Sequence, residues 1–198
     1  MIHTSSSDPN TPPTVLVIIG SIRAVRRCPQ IASWVVDIAE KSSSLNYELV
    51  DLADWPLPMT DEPGIPAQGS YTQPHTHAWS RKIAAANAFI FVTPQYNWGY
   101  PAPLKNAIDH LYKEWEGKPA VIVTYGGHGG TKCAAQLRQV AEAVEMRPTP
   151  TMPAITLTRQ MITGGPIDLE NDFKAEAELI RKAISELSAE LEQTRSTK

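Results

Sequence analysis

"FIFV", residues 89–92, decides how this chain is read. Four apolar, β-branched or aromatic residues in a row are too few for a helix and lack the alternation of a half-exposed strand. They predict a strand buried on both faces. Working outward, "HAWSRKIAAANA" (77–88) precedes it with helical spacing, and Leu104 to Tyr112 follows it as another helix. Val15 to Ile19 is a second short apolar run, and "AVIVTY" (120–125) a third. "YELVDL" (47–52) alternates, as a strand at a sheet edge does. "TMPAITL" (151–157) carries Pro153, which cannot donate to a ladder and so also belongs at an edge. Ile31, Trp34, Val35 and Ile38 mark a helix after the first strand, and Ala134, Leu137, Ala141 and Val144 one after the fourth. Phe173, Ala177, Ile180, Ile184, Leu187 and Leu191 mark a long amphipathic last helix.

Five strands alternating with five helices predict an α/β fold, a parallel sheet with helices on both faces. The second and fifth strands read as edges; the first, third and fourth read as central. The flavodoxin-like order 2-1-3-4-5 places them so, whereas the Rossmann order would put the wholly apolar "FIFV" at an edge. The expected architecture is therefore a flavodoxin-like three-layer sandwich with a five-stranded parallel sheet. Residues 14–198 form a single domain behind a disordered N-terminal tail, 1–13, whose Ser, Thr, Pro and Asn content cannot offset ordering entropy. The proline-rich stretch 53–75 reads as a long surface loop.

The chain has 198 residues, 42% hydrophobic and 20% charged, with a net charge of -3. That balance argues against a nucleic-acid footprint or a polybasic membrane patch. It is also milder than the acidic docking face of an electron carrier. No apolar stretch is long enough to span a bilayer, and the first residues lack the pattern of a secretory signal. Cys28 and Cys133 are the only cysteines and sit in no metal-ligand spacing, so two reduced thiols and a cytoplasmic location are expected. His75, His77 and His110 read as surface residues whose spacing makes no metal site.

In a sheet of this order, ligands bind beyond the carboxyl ends of the strands, where the loops after strands one, three and four converge. Those loops are "GSIRAVRRCPQ" (20–30), "TPQYNWGYP" (93–101) and "YGGHGGTK" (125–132). The first brings Ser21, Arg23, Arg26 and Arg27 to the start of a helix, where free N–H groups and the dipole favour a phosphate; a solvated turn is the plainer reading. The second carries Tyr96, Asn97, Trp98 and Tyr100. The third carries two Gly-Gly pairs around His128, more than a turn requires. Neither GxGxxG nor GxxxxGK[ST] occurs. A mononucleotide with a flat polar ring suits all three loops, and FMN is such a molecule.

At these loops the chain resembles the flavodoxin-like NAD(P)H-dependent FMN reductases and quinone reductases, most of all the fungal FMN-dependent NAD(P)H:quinone reductases. The resemblance rests on Gly20-Ser21-Ile22-Arg23, on Pro94-Gln95-Tyr96-Asn97 with Leu104-Lys105-Asn106-Ala107-Ile108-Asp109, and on Tyr125-Gly126-Gly127-His128-Gly129-Gly130. It implies an FMN-binding homodimer that takes hydride from NADPH or NADH. Such an enzyme reduces a quinone or similar small acceptor by two electrons. FMN buried against its loops would leave room for one substrate at a time, so donor and acceptor are expected to alternate in ping-pong fashion. By motif, Ser21 and Arg23 would hold the phosphate. Pro94, Gln95, Tyr96, Asn97 and Trp98 would line the isoalloxazine, and Tyr125, Gly126, Gly127 and His128 would meet its edge through backbone. Many members carry Ser and Asn where this chain has Arg26 and Cys28, so these two are candidates for completing the cradle. Cys28 reads as a structural or weakly hydrogen-bonding neighbour. The bound flavin carries the chemistry, so no catalytic acid or nucleophile is named. A flavodoxin-type electron carrier and a redox-responsive flavoprotein binding module remain the alternative readings.

Overall fold

The computed structural model of the chain describes residues 11–59 and 61–196. Its strands are β1 (Thr14–Ile19), β2 (Asn46–Asp51), β3 (Ala88–Pro94), β4 (Pro119–Gly126), β5 (Arg147–Pro148) and β6 (Ala154–Thr156). The helices are α1 (Cys28–Ser42), α2 (Pro74–Ala84), α3 (Ala102–Asp109), α4 (Thr131–Ala143), α5 (Arg159–Ile162), α6 (Leu169–Asp172) and α7 (Lys174–Ser196). All strand pairs are parallel, and the order is β2-β1-β3-β4-β5 with β6 also on β4. The flavodoxin-like order expected from the apolar third strand is the observed one.

Strand periodicity builds the three layers. Phe89, Ile90, Phe91 and Val92 are each 0% exposed, which stabilises the fold by about 1.5–3 kcal/mol per side chain. Because successive side chains alternate across a sheet, Ile90 and Val92 join Val15, Val17, Val121 and Val123 under α1 and α7. Phe89 and Phe91 join Leu16, Ile18 and Ile122 under α2, α3 and α4. Every residue expected on the apolar stripe of the last helix, from Phe173 to Leu191, is buried in the first of these cores.

The fifth strand differs from expectation. Instead of one run at 151–157, its place is filled in two pieces: β5 on Pro119–Ala120 and β6 on Thr124–Gly126. Pro148, Pro150 and Pro153 have no N–H to give, so a continuous ladder cannot form. The gap is closed from outside the sheet, where Glu186 of α7 accepts from the Thr151 backbone N–H at 2.9 Å and from its hydroxyl at 2.7 Å.

The stretch between β2 and α2 is folded onto the body. It holds 3-10 turns at Leu52–Asp54 and Pro66–Gln68, and the Trp55 ring packs 4.8 Å from that of Trp79. Residues 1–10 of the expected tail lie outside the described residues. The Pro12 and Pro13 carbonyls accept from the side chain and backbone N–H of Asn46.

Candidate functional site

The parallel sheet carries the β1–α1, β3–α3 and β4–α4 loops to one edge, and direct contacts tie them together. Gly20 leaves β1 with its N–H on the Val92 carbonyl at 2.9 Å. A Cβ there would come within 3.0 Å of Leu104 and 3.1 Å of Thr93 and would press both side chains back, so glycine lets the first loop start close to β3 without that shift. Ser21, fully buried, shares a 3.0 Å hydrogen bond with the Tyr96 hydroxyl. The Arg23 guanidinium lies over the Tyr96 ring, 3.9 Å from its centroid. The first loop is thus locked to the second through one tyrosine.

The three arginines of the first loop have different fates. Arg26 donates to the Ser21 carbonyl at 2.8 Å and pairs with Asp51. Arg27 donates to the Met161 and Gly165 carbonyls. Among the described residues Arg23 has no carboxylate partner, and the backbone N–H groups of residues 22–27 donate to no protein group. A free guanidinium beside free N–H groups at the start of α1 is a donor set suited to a phosphate. Cys28 lies beneath this loop, fully buried, its thiol donating to the Val92 carbonyl at 3.1 Å. Burial pushes its pKa up and outweighs the contacts from Tyr125 and the Ser21 backbone. The lowering that a helix N-terminus would produce is therefore overridden, and Cys28 supports the loop from below.

The second loop is a tight reversal. Tyr96 and Gly99 exchange backbone hydrogen bonds of 2.8 and 2.9 Å, while Asn97 (φ 48°) and Trp98 (φ 73°) both take the left-handed conformation. That conformation is uncommon for tryptophan and holds the Trp98 side chain outward, 57% exposed. Lys132 of α4 stands over its ring, 2.7 Å from the centroid. Gln95 ties this loop to the third. Its N–H donates to the Tyr125 carbonyl at 2.8 Å, and its side-chain oxygen accepts from the Cys133 N–H at 3.1 Å.

In the third loop Gly127 and His128 are exposed, whereas Gly129 and Gly130 are buried with φ of 74° and 104°. A Cβ at Gly130 would sit 2.7 Å from Thr124. The Tyr125 side chain belongs to the core under α1, where burial first, and the neighbouring Cys28 second, push its pKa up. Its side chain is therefore turned away from the loop edge, and its carbonyl accepts from the Gln95 N–H.

The structure therefore gathers Ser21, Arg23, Pro94, Gln95, Tyr96, Asn97, Trp98, Gly126, Gly127 and His128 around one end of the sheet. It places Arg26 and Cys28 in supporting contacts beneath them. Asp51, which holds Arg26, and Lys132, which covers Trp98, escaped the sequence reading. Asp51 was within reach of it, because β2 and β1 pair in register and Asp51 lies opposite Ile19.

A doubly wound parallel sheet whose switch-point loops offer free N–H groups beside a guanidinium, an aromatic turn and a glycine-rich backbone has the layout of a flavodoxin-like nucleotide-binding scaffold. The profile of the NADPH-dependent FMN reductase family matches residues 13–158, and the chain belongs to that family. It is an oxidoreductase built for FMN and NAD(P)H. The NAD(P)H-dependent FMN reductase C4B3.06c of Schizosaccharomyces pombe is 55% identical over 178 residues, 89% of each chain. The quinone reductase of Escherichia coli K12 is 35% identical over 135 residues, 64% of this chain and 68% of that one. Among solved structures, the flavoenzyme NAD(P)H:(acceptor) oxidoreductase of Paracoccus denitrificans shares the fold, with a TM-score of 0.69. It is 22% identical, and the match covers 90% of this chain and 98% of that one. No helix among the described residues is long and apolar enough to cross a membrane.

Proposed function

We propose that this chain reduces a quinone-like small molecule by two electrons at the expense of NAD(P)H, as a cytoplasmic homodimer, with donor and acceptor using one face of the site in turn. The observation that carries the reading is the junction of Ser21, Tyr96 and Arg23. It places a free cation and the N–H groups of residues 22–27 beside an aromatic turn. FMN, when bound, supplies hydride acceptance and two-electron delivery. The protein's part is to hold and orient. Arg23 and the first-loop N–H groups take the phosphate, the 94–98 turn carries the ring, and the 126–128 backbone meets its edge. The E. coli relative, named as a quinone reductase, supports the acceptor class. Two free, buried thiols suit a reducing compartment.

Exposed apolar groups flank the site: Val25 at 89%, Trp98 at 57% and Ile22 at 48%. They support a second copy as their cover. Light scattering at micromolar concentration should give twice the chain mass; the mass of one chain would refute the dimer.

The activity is tested by purifying the protein, recording its flavin absorbance, and following NADPH and NADH oxidation with and without a quinone. Quinone-dependent oxidation by a yellow protein is expected. A yellow protein that oxidises neither nucleotide would be a carrier or a binding module instead. A protein that takes up no FMN would overturn the site itself.

A further inference from the structure

Far along α3 from the flavin loops, three side chains distant in sequence meet: Asp61, His75 and His110. One ligand atom from each lies within 4.8 Å of the others. The His75 Nε2 is 3.1 and 3.0 Å from the two Asp61 carboxylate oxygens, and the His110 Nε2 is 3.9 Å from Oδ1. From sequence, His110 is expected on the surface. Instead its side chain is only 4% exposed, because the end of α3 turns it inward under α2.

His110 has a determined tautomer. Its Nδ1 is 2.8 Å from the Asn106 carbonyl, which can only accept, so Nδ1 carries the proton. In the neutral ring Nε2 then bears a lone pair, and that lone pair faces a carboxylate oxygen. With Nε2 unprotonated, two acceptors would face one another across 3.9 Å, beyond hydrogen-bond reach, in a place sealed on the His110 side. Either a proton on Nε2 or a metal cation between the two groups resolves the opposition, and only the cation also engages the His75 nitrogen as a third ligand. An imidazole oriented by a backbone carbonyl through its other nitrogen is also how proteins present histidine to a metal.

We propose that Asp61, His75 and His110 form a site for a divalent transition cation, with zinc as the matching ion. Two imidazoles and one carboxylate are a zinc donor set, with water as a fourth ligand, and are too nitrogen-rich for magnesium or calcium. Tetrahedral donors about 2.1 Å from zinc stand about 3.4 Å apart. The observed spacings bracket that value, so binding needs only small side-chain shifts. His75 and Asp61 are 24% and 30% exposed on their side chains, which leaves an entry from solvent. The ion would pin the stretch between β2 and α2 to the end of α3. Its role is structural, since none of its ligands belongs to the flavin loops.

The test uses the FMN-loaded protein, stripped with a chelator and then titrated with zinc chloride against a chromophoric zinc indicator, with magnesium chloride in parallel. We expect one zinc per chain, a raised melting temperature with zinc, and neither effect with magnesium. His75→Ala and Asp61→Asn should lose the stoichiometric zinc and the thermal shift while keeping their flavin and NADPH oxidation. His77→Ala, on the same helix, should behave as wild type. X-ray absorption at the zinc edge of the wild-type protein should show two imidazole nitrogens. No zinc at one per chain, a zinc shell without two imidazoles, or undiminished binding by His75→Ala would each overturn the site. None of these results bears on the flavin assignment.

Discussion

Of the three arginines on the first loop, Arg26 and Arg27 already spend their donors on Asp51 and on the Ser21, Met161 and Gly165 carbonyls. Arg23 is left with an aromatic face and an open fork. Arg23→Ala should therefore weaken FMN binding by about 1.5–3 kcal/mol, the worth of a hydrogen bond to a charged group, without loss of fold. Fluorescence titration of flavin-free protein measures this, and unchanged affinity would move the phosphate elsewhere. Gly130 offers a test of the third loop that needs no ligand. Its φ of 104° and the 2.7 Å approach of a Cβ to Thr124 mean that Gly130→Ala adds backbone strain to overpacking. A loss of about 2–5 kcal/mol is expected from urea unfolding of the flavin-free protein. Gly127→Ala, at an exposed site whose Cβ meets only the end of Ile162, should cost far less. At this scale the sequence showed residue types and their order: Ser21 with Arg23, and Tyr96 with Asn97. It could not show that Arg26 has Asp51 as partner or that His110 is buried, because both depend on contacts made only after α1, α2 and α3 have docked.

Among the elements, α2 shows how the stretch at 53–75 escaped a reading based on periodicity. Its N-terminus has no cap from Gln73, the residue at the cap position. Instead Glu62, ten residues before Thr72, accepts from the Thr72 and Gln73 N–H groups, each at 2.9 Å, and from the Thr72 hydroxyl at 3.0 Å. A carboxylate at the positive end of a helix satisfies orphan donors and the dipole together. Partial burial raises the Glu62 pKa, but the Gln73 and Thr72 bonds outweigh it and bring it from 4.5 down to about 2. A carboxyl whose folded pKa lies below its unfolded one stabilises the fold above the unfolded value. It loses that contribution as pH falls from about 4.5 toward 2. Glu62→Gln should thus be less stable than wild type at neutral pH, and the gap should close across that acid window. Parallel melting curves of the two proteins would show it; a gap independent of pH would mean the carboxylate charge plays no part. A loop organised by one side chain reaching across ten residues leaves no local pattern. The split fifth strand was missed for a related reason: Pro153 announced an edge, but the rescue of the gap comes from Glu186 on a distant helix.

For the whole molecule, the topology was legible because a sheet buried on both sides has to write its central strands in apolar residues, and β3 does so from Ala88 to Val92. The same topology determines how substrates can meet. The loops after β1, β3 and β4 converge at a single edge and are joined by the Ser21–Tyr96 and Gln95–Tyr125 hydrogen bonds. A flat ring held by the 94–98 turn and the 126–128 backbone would be covered on its protein side and open on the other. On the function proposed above, nicotinamide and quinone would compete for one opening, bordered by the outward-held Trp98, and the first would leave before the second enters. Initial-rate plots against NADPH at several fixed quinone concentrations should give parallel lines. High quinone should inhibit competitively with NADPH, because each substrate can occupy the opening unproductively. Tyr96→Ala removes the side chain that both bonds Ser21 and underlies Arg23, so it should lower turnover through loose placement even in protein that retains FMN. Intersecting lines, together with a ternary complex trapped by NADP+ and a quinone analogue, would require a second opening. The shared-face reading would then fall, while the loops that hold the flavin would stand.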